Sequence, residues 1–181
     1  MSAPVPFVLV TSNVNKWREA ERILGAAIER VELDLEELQA ESVRAVALAK
    51  AEIAFQKLGR PVIVEDAGVE LVALGGFPGP FIKYWEKLGG LSSICRAADG
   101  LQDRRVRAVC ALGICSERGA EVVEGVANGT LSLEPRGSNG FGWDAIFMPE
   151  GDTRTFGEMS SAEKDARSHR RKAWELLRKK L

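Results

Sequence analysis

Cysteine is scarce in this 181-residue sequence: Cys95, Cys110 and Cys115 are odd in number and lack any CxxC spacing. That excludes a disulfide framework or a zinc finger and points to reduced thiols in a cytoplasmic protein. Histidine is scarcer, with His169 alone, so no histidine pair is available to hold a metal. Long apolar runs are missing too. The opening MSAPVPFVLVTSN has no basic n-region, and its apolar stretch is too short for a leader or a membrane span. Net charge is also small: 25 Lys and Arg against 26 Asp and Glu give −1, which excludes a general polyelectrolyte partner. The signs are unevenly placed, because Lys164–Leu181 carries a basic excess that suits nucleic acid, phosphate or solvent. Neither GxxxxGK[ST] nor a Nudix helix of the REuxEE type occurs.

At 45% hydrophobic and 28% charged residues, the chain has the composition of a globular protein, and its length suits one domain, 1–181, or a two-lobed one. Its organising stretch is Pro61–Gly79. The apolar run Val62-Ile63-Val64 predicts a buried strand that ends on adjacent carboxylates, Glu65 and Asp66. Carboxylates at the end of a buried strand cost desolvation unless cations or donors meet them. Oxygen ligands of this kind suit Mg²⁺ or Mn²⁺; a solvated turn is the other reading.

Upstream, Phe7–Val10 predicts a short strand that breaks into Thr11-Ser12-Asn13 before a helix from about Lys16. Trp17, Ala20, Leu24, Ala27 and Ile28 form its apolar stripe, leaving Arg18, Glu19, Glu21 and Arg22 outside. Strand, polar turn and helix N-terminus together make an anion cradle or an ordinary cap. Val31–Leu35 reads as a second strand. A helix then runs from the Ser42 cap to Leu58 and stops at Gly59. Lys50 falls within that helix's apolar stripe, either snorkelling to its edge or meeting an anion in a pocket.

Downstream, helical stretches around Ile82–Leu88 and Leu91–Ala98 flank Gly89-Gly90. Arg105–Cys115 and Glu121–Val126 alternate as an antiparallel hairpin, which Thr130–Leu133 extends. Phe141 and Trp143 between glycines suit a loop closing over a flat ligand, or an aromatic anchor. Ala145–Met148 reads as a strand, Ser160-x-x-Glu163 as a capping box, and a last amphipathic helix follows Ser168-His169-Arg170. The whole is an α/β chain with a mixed sheet, parallel early and antiparallel late.

Several stretches, in this order, resemble the inosine triphosphate pyrophosphatase family. They are Thr11-Ser12-Asn13-Val14-Asn15-Lys16, Glu37-Leu38-Gln39, Lys50, Val64-Glu65-Asp66, Ala73–Pro80, Phe141-Gly142-Trp143-Asp144, Thr155–Met159 and Ser168-His169-Arg170. The resemblance implies an elongated mixed sheet flanked by helices, with two lobes around a central substrate cleft, and a homodimer. It implies Mg²⁺-dependent hydrolysis of ITP, dITP or XTP to the monophosphate and pyrophosphate. Thr11, Asn13, Lys16 and Lys50 would then hold the phosphate tail, and Ser12, Asn15 and Ala67 would also bind substrate. Glu37 and Asp66 would hold the metal, and Asp66 would also activate water with support from Glu65. Phe141, Gly142, Trp143 and Asp144 would pack the base and sugar. Lys164, His169 and Arg170 would approach the purine edge, and Lys83 would line the cleft. Two positions depart from the family pattern: Ser12 stands for a usual glycine and Ala67 for a usual hydroxyl residue. Stable nucleic-acid or membrane partners are not expected. The competing expectations are a pyrophosphatase for modified pyrimidine nucleotides and a non-catalytic nucleotide- or nucleic-acid-binding protein.

Overall fold

The computed structural model describes residues 7–36 and 38–180. In chain order the elements are β1 (Val8–Val10), α1 (Val14–Leu24), β2 (Arg30–Val31), α2 (Val43–Leu58), β3 (Val62–Leu71), β4 (Pro78–Gly79) and α3 (Ile82–Ala97). They continue with β5 (Arg105–Ser116), β6 (Gly119–Leu131), β7 (Phe147–Pro149), α4 (Ser161–Asp165) and α5 (His169–Arg178). The described strands form one seven-stranded mixed sheet in the order β2-β1-β3-β5-β6-β7, with β4 paired to β3. Pairing is parallel for β1 with β2 and β3, and antiparallel for β3 with β4 and β6 with β7. This is the mixed α/β fold that the residue pattern predicts.

Residues group into two compact units. One holds the described residues before Ala67, the stretch Cys110–Gly125 and those from Arg170 onward. Its cores gather Leu9, Ile63, Leu112 and Trp174 on one side, and Val8, Val62, Val64 and Ala54 on another. The other unit holds Ala67–Val109 and Val126–His169, around Leu71, Ile94, Phe147, Phe156 and Met159.

Local chemistry explains the elements of the first unit. Asn13 caps α1 through its side-chain oxygen, and Gly25 ends that helix in the left-handed conformation. Ser42 and Gly59 do the same for α2, as the spacing predicts. Helix α2 lies close on β5 because residue 113 is glycine: a Cβ there would fall 2.2 Å from the Ala47 carbonyl oxygen. In the second unit α3 joins the two predicted helices across a break at Gly90, whose φ of 72° suits glycine.

Several boundaries differ from expectation. β3 does not stop at the acidic pair but continues to Leu71. The expected Val31–Leu35 strand shrinks to Arg30–Val31, because β1 offers partners only through Val10. Glu121–Val126 and Thr130–Leu133 are not separate strands but lie along β6, which ends at Leu131. The Ala145–Met148 strand starts later, at Phe147, because Gly142–Ile146 winds into a 3₁₀ turn. The last helix starts earlier than expected, at His169.

Replacing Gly113 by alanine should force α2 away from β5 and lower the unfolding free energy by about 2 kcal/mol, the usual scale for overpacking. Urea denaturation checks this, and an unchanged midpoint would mean that α2 shifts at no cost.

Candidate active site

Two adjacent acids on β3 define the site in the first unit. β1 ends at Val10 opposite Val64, so the next two residues of β3 outrun that neighbour. They are Glu65, 5% exposed, and Asp66, 7% exposed. Strand alternation sends their side chains to opposite faces; Arg170 and Lys16 meet Glu65, Lys50 meets Asp66, and the charge of Lys16 reaches both.

Glu65 is met by Arg170. The guanidinium Nε donates to both carboxylate oxygens at 3.0 and 2.9 Å, and Nη2 donates to Oε1 at 2.9 Å. Nη1 of the same arginine donates to Glu19. Lys16 adds its ammonium, which donates to the Glu65 carbonyl at 3.3 Å and lies 3.5 Å from Oε1. Burial pushes the Glu65 carboxyl up, but the charges of Arg170 and Lys16 outweigh it and hold the group below its ordinary value. Burial disfavours the Arg170 cation, yet Glu65 and Glu19 reverse that and raise its pKa.

Asp66 is met less generously. Lys50 Nζ stands 3.5 Å from Oδ1. Here burial dominates, so the carboxyl is raised above the ordinary aspartate value even though Lys16 and Lys50 pull it down. Lys50 therefore points inward to an anion and does not snorkel. An under-compensated carboxylate is the reactive member of such a pair.

The turn before α1 spends much of its polarity on itself. Thr11 Oγ1 accepts from Asn13 N at 3.1 Å, and Asn13 Oδ1 accepts from the amides of Asn15 and Lys16 at 3.0 and 3.2 Å. Two amides that sequence reasoning offers to an anion are thus already capped. Ser12 and Asn15 are exposed on this turn, and the Ala67 methyl is half-buried on β3 beyond Asp66.

In the second unit, Phe141–Asp144 forms a tight polar-backed turn. Asp144 Oδ2 accepts from Phe141 N at 2.8 Å and from Lys164 Nζ at 2.6 Å, and both partners of that ion pair are buried. Gly140 makes room for this, since a Cβ there would meet Asp144 Oδ2 at 2.1 Å. The Lys164 ammonium lies 4.7 Å from the half-buried Phe141 ring. Trp143 is 8% exposed and packs on Phe147 and His169, with ring centroids 5.8 and 5.0 Å apart. His169 is itself buried and also stacks on Phe156. Of the two aromatics, Trp143 is the core anchor, and Phe141 is the half-buried one.

The remaining expected residues fall as follows. Arg170 commits its guanidinium to Glu65 and Glu19, not to an exposed edge. Lys83 is exposed, with its ammonium 4.7 Å from the Tyr84 ring. Glu37 lies outside the described residues. Among the described ones no three His, Cys, Asp or Glu side chains gather as a metal-binding group. Asp66 nonetheless suits a hard cation: it is a buried carboxylate whose charge the two lysines compensate only in part. The basic C-terminal stretch is partly spent on ion pairs, Arg167 with Asp152, Arg171 with Glu175 and Lys180 with Glu121. No helix of the described residues is long and apolar enough to cross a membrane.

Sequence reasoning missed Glu19, set on the solvent face of α1 but in fact buried against Arg170. The signal was present, because Glu19 stands three residues after Lys16 and shares its face. It also missed Glu86 on α3, half-buried beside Asp144.

The Ham1 family model matches residues 7–180. The chain belongs to the Ham1 family. A protein of Methanopyrus kandleri named dITP/XTP pyrophosphatase is 41% identical over 172 residues, covering 93% of this chain and 92% of that protein. One of Yarrowia lipolytica named inosine triphosphate pyrophosphatase is 40% identical over 176 residues, covering 94% and 93%. Among solved structures, a HAM1 protein from Coxiella burnetii superposes with a TM-score of 0.83 at 29% identity, covering 94% of this chain and 95% of that one.

Replacing Glu65 by glutamine removes a carboxylate from a buried arginine and should cost about 3 kcal/mol of stability at neutral pH. Because the native Glu65 pKa is depressed, its contribution is present above the ordinary value of 4.5 and is lost as pH falls through the lower native value. The stability gap between wild type and Glu65→Gln should therefore be full well above pH 4.5 and shrink as pH falls below it. A gap that stays constant with pH would show that Glu65 acts through packing alone.

Proposed function

We propose that the protein is a nucleoside triphosphate pyrophosphatase acting on non-standard purine nucleotides (ITP, dITP and XTP), releasing the monophosphate and pyrophosphate. The observation that carries this reading is Asp66, a buried carboxylate with a raised pKa facing Lys50, next to a Glu65 already neutralised by Arg170. Membership of the Ham1 family and the names of its pyrophosphatase relatives support it.

In this reading Lys16 and Lys50 are the cations that meet the triphosphate, with Thr11, Ser12, Asn13 and Asn15 lining its turn. Asp66 in its ionised form orients the attacking water and takes its proton. The bond to phosphorus forms as the bridge between the α- and β-phosphates breaks, and pyrophosphate leaves with that electron pair. Glu65 and Arg170 position Asp66 by fixing β3 and do not touch the substrate. Mg²⁺ would be held by Asp66 together with Glu37, and when bound it neutralises phosphate charge and polarises the phosphoryl oxygens. Phe141 offers its face to the base, and Lys164 is the cation at the base edge. His169 and Trp143 brace that turn. A 6-keto purine gives a cationic donor an acceptor, whereas adenine presents an amino group and leaves the donor unpaired. We further infer a cytoplasmic homodimer that works as a single functional domain.

The experiment is pyrophosphate release with Mg²⁺ from ITP, XTP, dITP, ATP, GTP, CTP and UTP. Rapid turnover of ITP and XTP with little of ATP is expected. Preference for pyrimidine nucleotides, or no turnover at all, would overturn the reading. Asp66→Asn should lower kcat by roughly 10³-fold or more, as for loss of a catalytic base, while the unfolding midpoint is kept. Near-normal turnover in that variant would remove Asp66 from the chemistry.

A further inference from the structure

Glu86 is an acid near the Phe141–Asp144 turn for which the reaction above has no use. It projects from the first half of α3, half-buried. A methyl added at Gly142 would sit 3.6 Å from Glu86 Oε2, so the carboxylate stands where a side chain at position 142 would touch it. The neighbouring carboxylate, Asp144, is bound by Lys164 and by the Phe141 amide. No described residue donates a hydrogen bond or ion pair to Glu86. Burial raises its pKa, and the like charge of Asp144 raises it further. Gly142 carries no side chain that could cover the oxygen, and its φ of +60° disfavours one. The result is an acceptor held ready beside a base platform, at an electrostatic cost the fold does not relieve.

We propose that Glu86 is a specificity-determining residue that accepts the ring N–H of a 6-keto purine. An ionised carboxylate only accepts hydrogen bonds. Hypoxanthine, xanthine and guanine all carry N1–H beside the keto oxygen, whereas adenine carries a lone pair at N1 that an acceptor repels. Glu86 therefore separates keto purines from adenine and does not itself reject the guanine 2-amino group. This rests on the reading of Phe141–Asp144 as the base platform.

The test measures kcat and KM for ITP, GTP and ATP in wild type, Glu86→Ala and Glu86→Gln. Both variants should fold, since the substitution removes a partnerless charge and relieves Asp144. For Glu86→Ala the ITP-to-ATP ratio of kcat/KM should fall by about tenfold or more, the usual worth of a hydrogen bond to a charged group. The loss should fall mainly in KM, and GTP should move with ITP. Glu86→Gln retains one acceptor oxygen and should lose less. If wild type turns over ITP and both variants keep the ITP-to-ATP ratio within about twofold, well below that worth, this inference is overturned and the proposed function stands. If wild type fails to turn over ITP, the proposed function falls and takes the role of Glu86 with it.

Discussion

Two neighbouring carboxylates taken out of water on one strand must each find a cation or hold on to a proton. That constraint organises the first unit. Glu65 receives a bidentate arginine and a lysine, enough to keep it ionised below its ordinary pKa. Asp66 receives less and is pushed the other way. Two carboxylates in consecutive positions thus acquire opposite character, one fixed and one reactive, through how fully cations meet each of them. The elements around them serve this division. α1 brings Lys16 and Glu19, α2 brings Lys50, and the start of α5 brings Arg170.

The second unit repeats the logic at smaller scale. Asp144 and Lys164 neutralise one another in a buried pair, and the pair holds the Phe141–Asp144 turn in its 3₁₀ shape. Trp143, Phe147, Phe156 and His169 then form the apolar wall behind it. Glu86, half-buried beside that pair, is left with its charge unanswered by a described residue. In each unit the residue least compensated by the fold is the one for which a ligand has the most to offer.

Much of this is legible in the residue pattern, and the exceptions have physical causes. Caps at Asn13, Ser42 and Ser160 and the stop at Gly59 depend on local chemistry, which short windows reveal, whereas the apolar stripe through Ala27 and Ile28 hides the end of α1 at Gly25. The acidic pair after Val64 is equally visible. Strand ends are not, because the length of β2 is set by β1 and the extent of β3 by its later partner β4, both distant in sequence. Arg170 reads as a donor at the purine edge because the family resemblance places it there. Its ion pairs to Glu65 and Glu19 span more than a hundred positions, and no local signal carries them. Trp143 reads equally well as platform or anchor, and only its packing on Phe147 and His169 separates the two.

The central claim is that Glu65 and Asp66 are driven apart by their partners. The direct measurement is a carboxyl-carbon NMR titration of both side chains in the folded protein, assigned with Glu65→Gln and Asp66→Asn. Glu65 should titrate below the ordinary 4.5 and Asp66 above the ordinary 3.8. Ordinary values for both, or the reverse order, would contradict the division of labour on which the account rests.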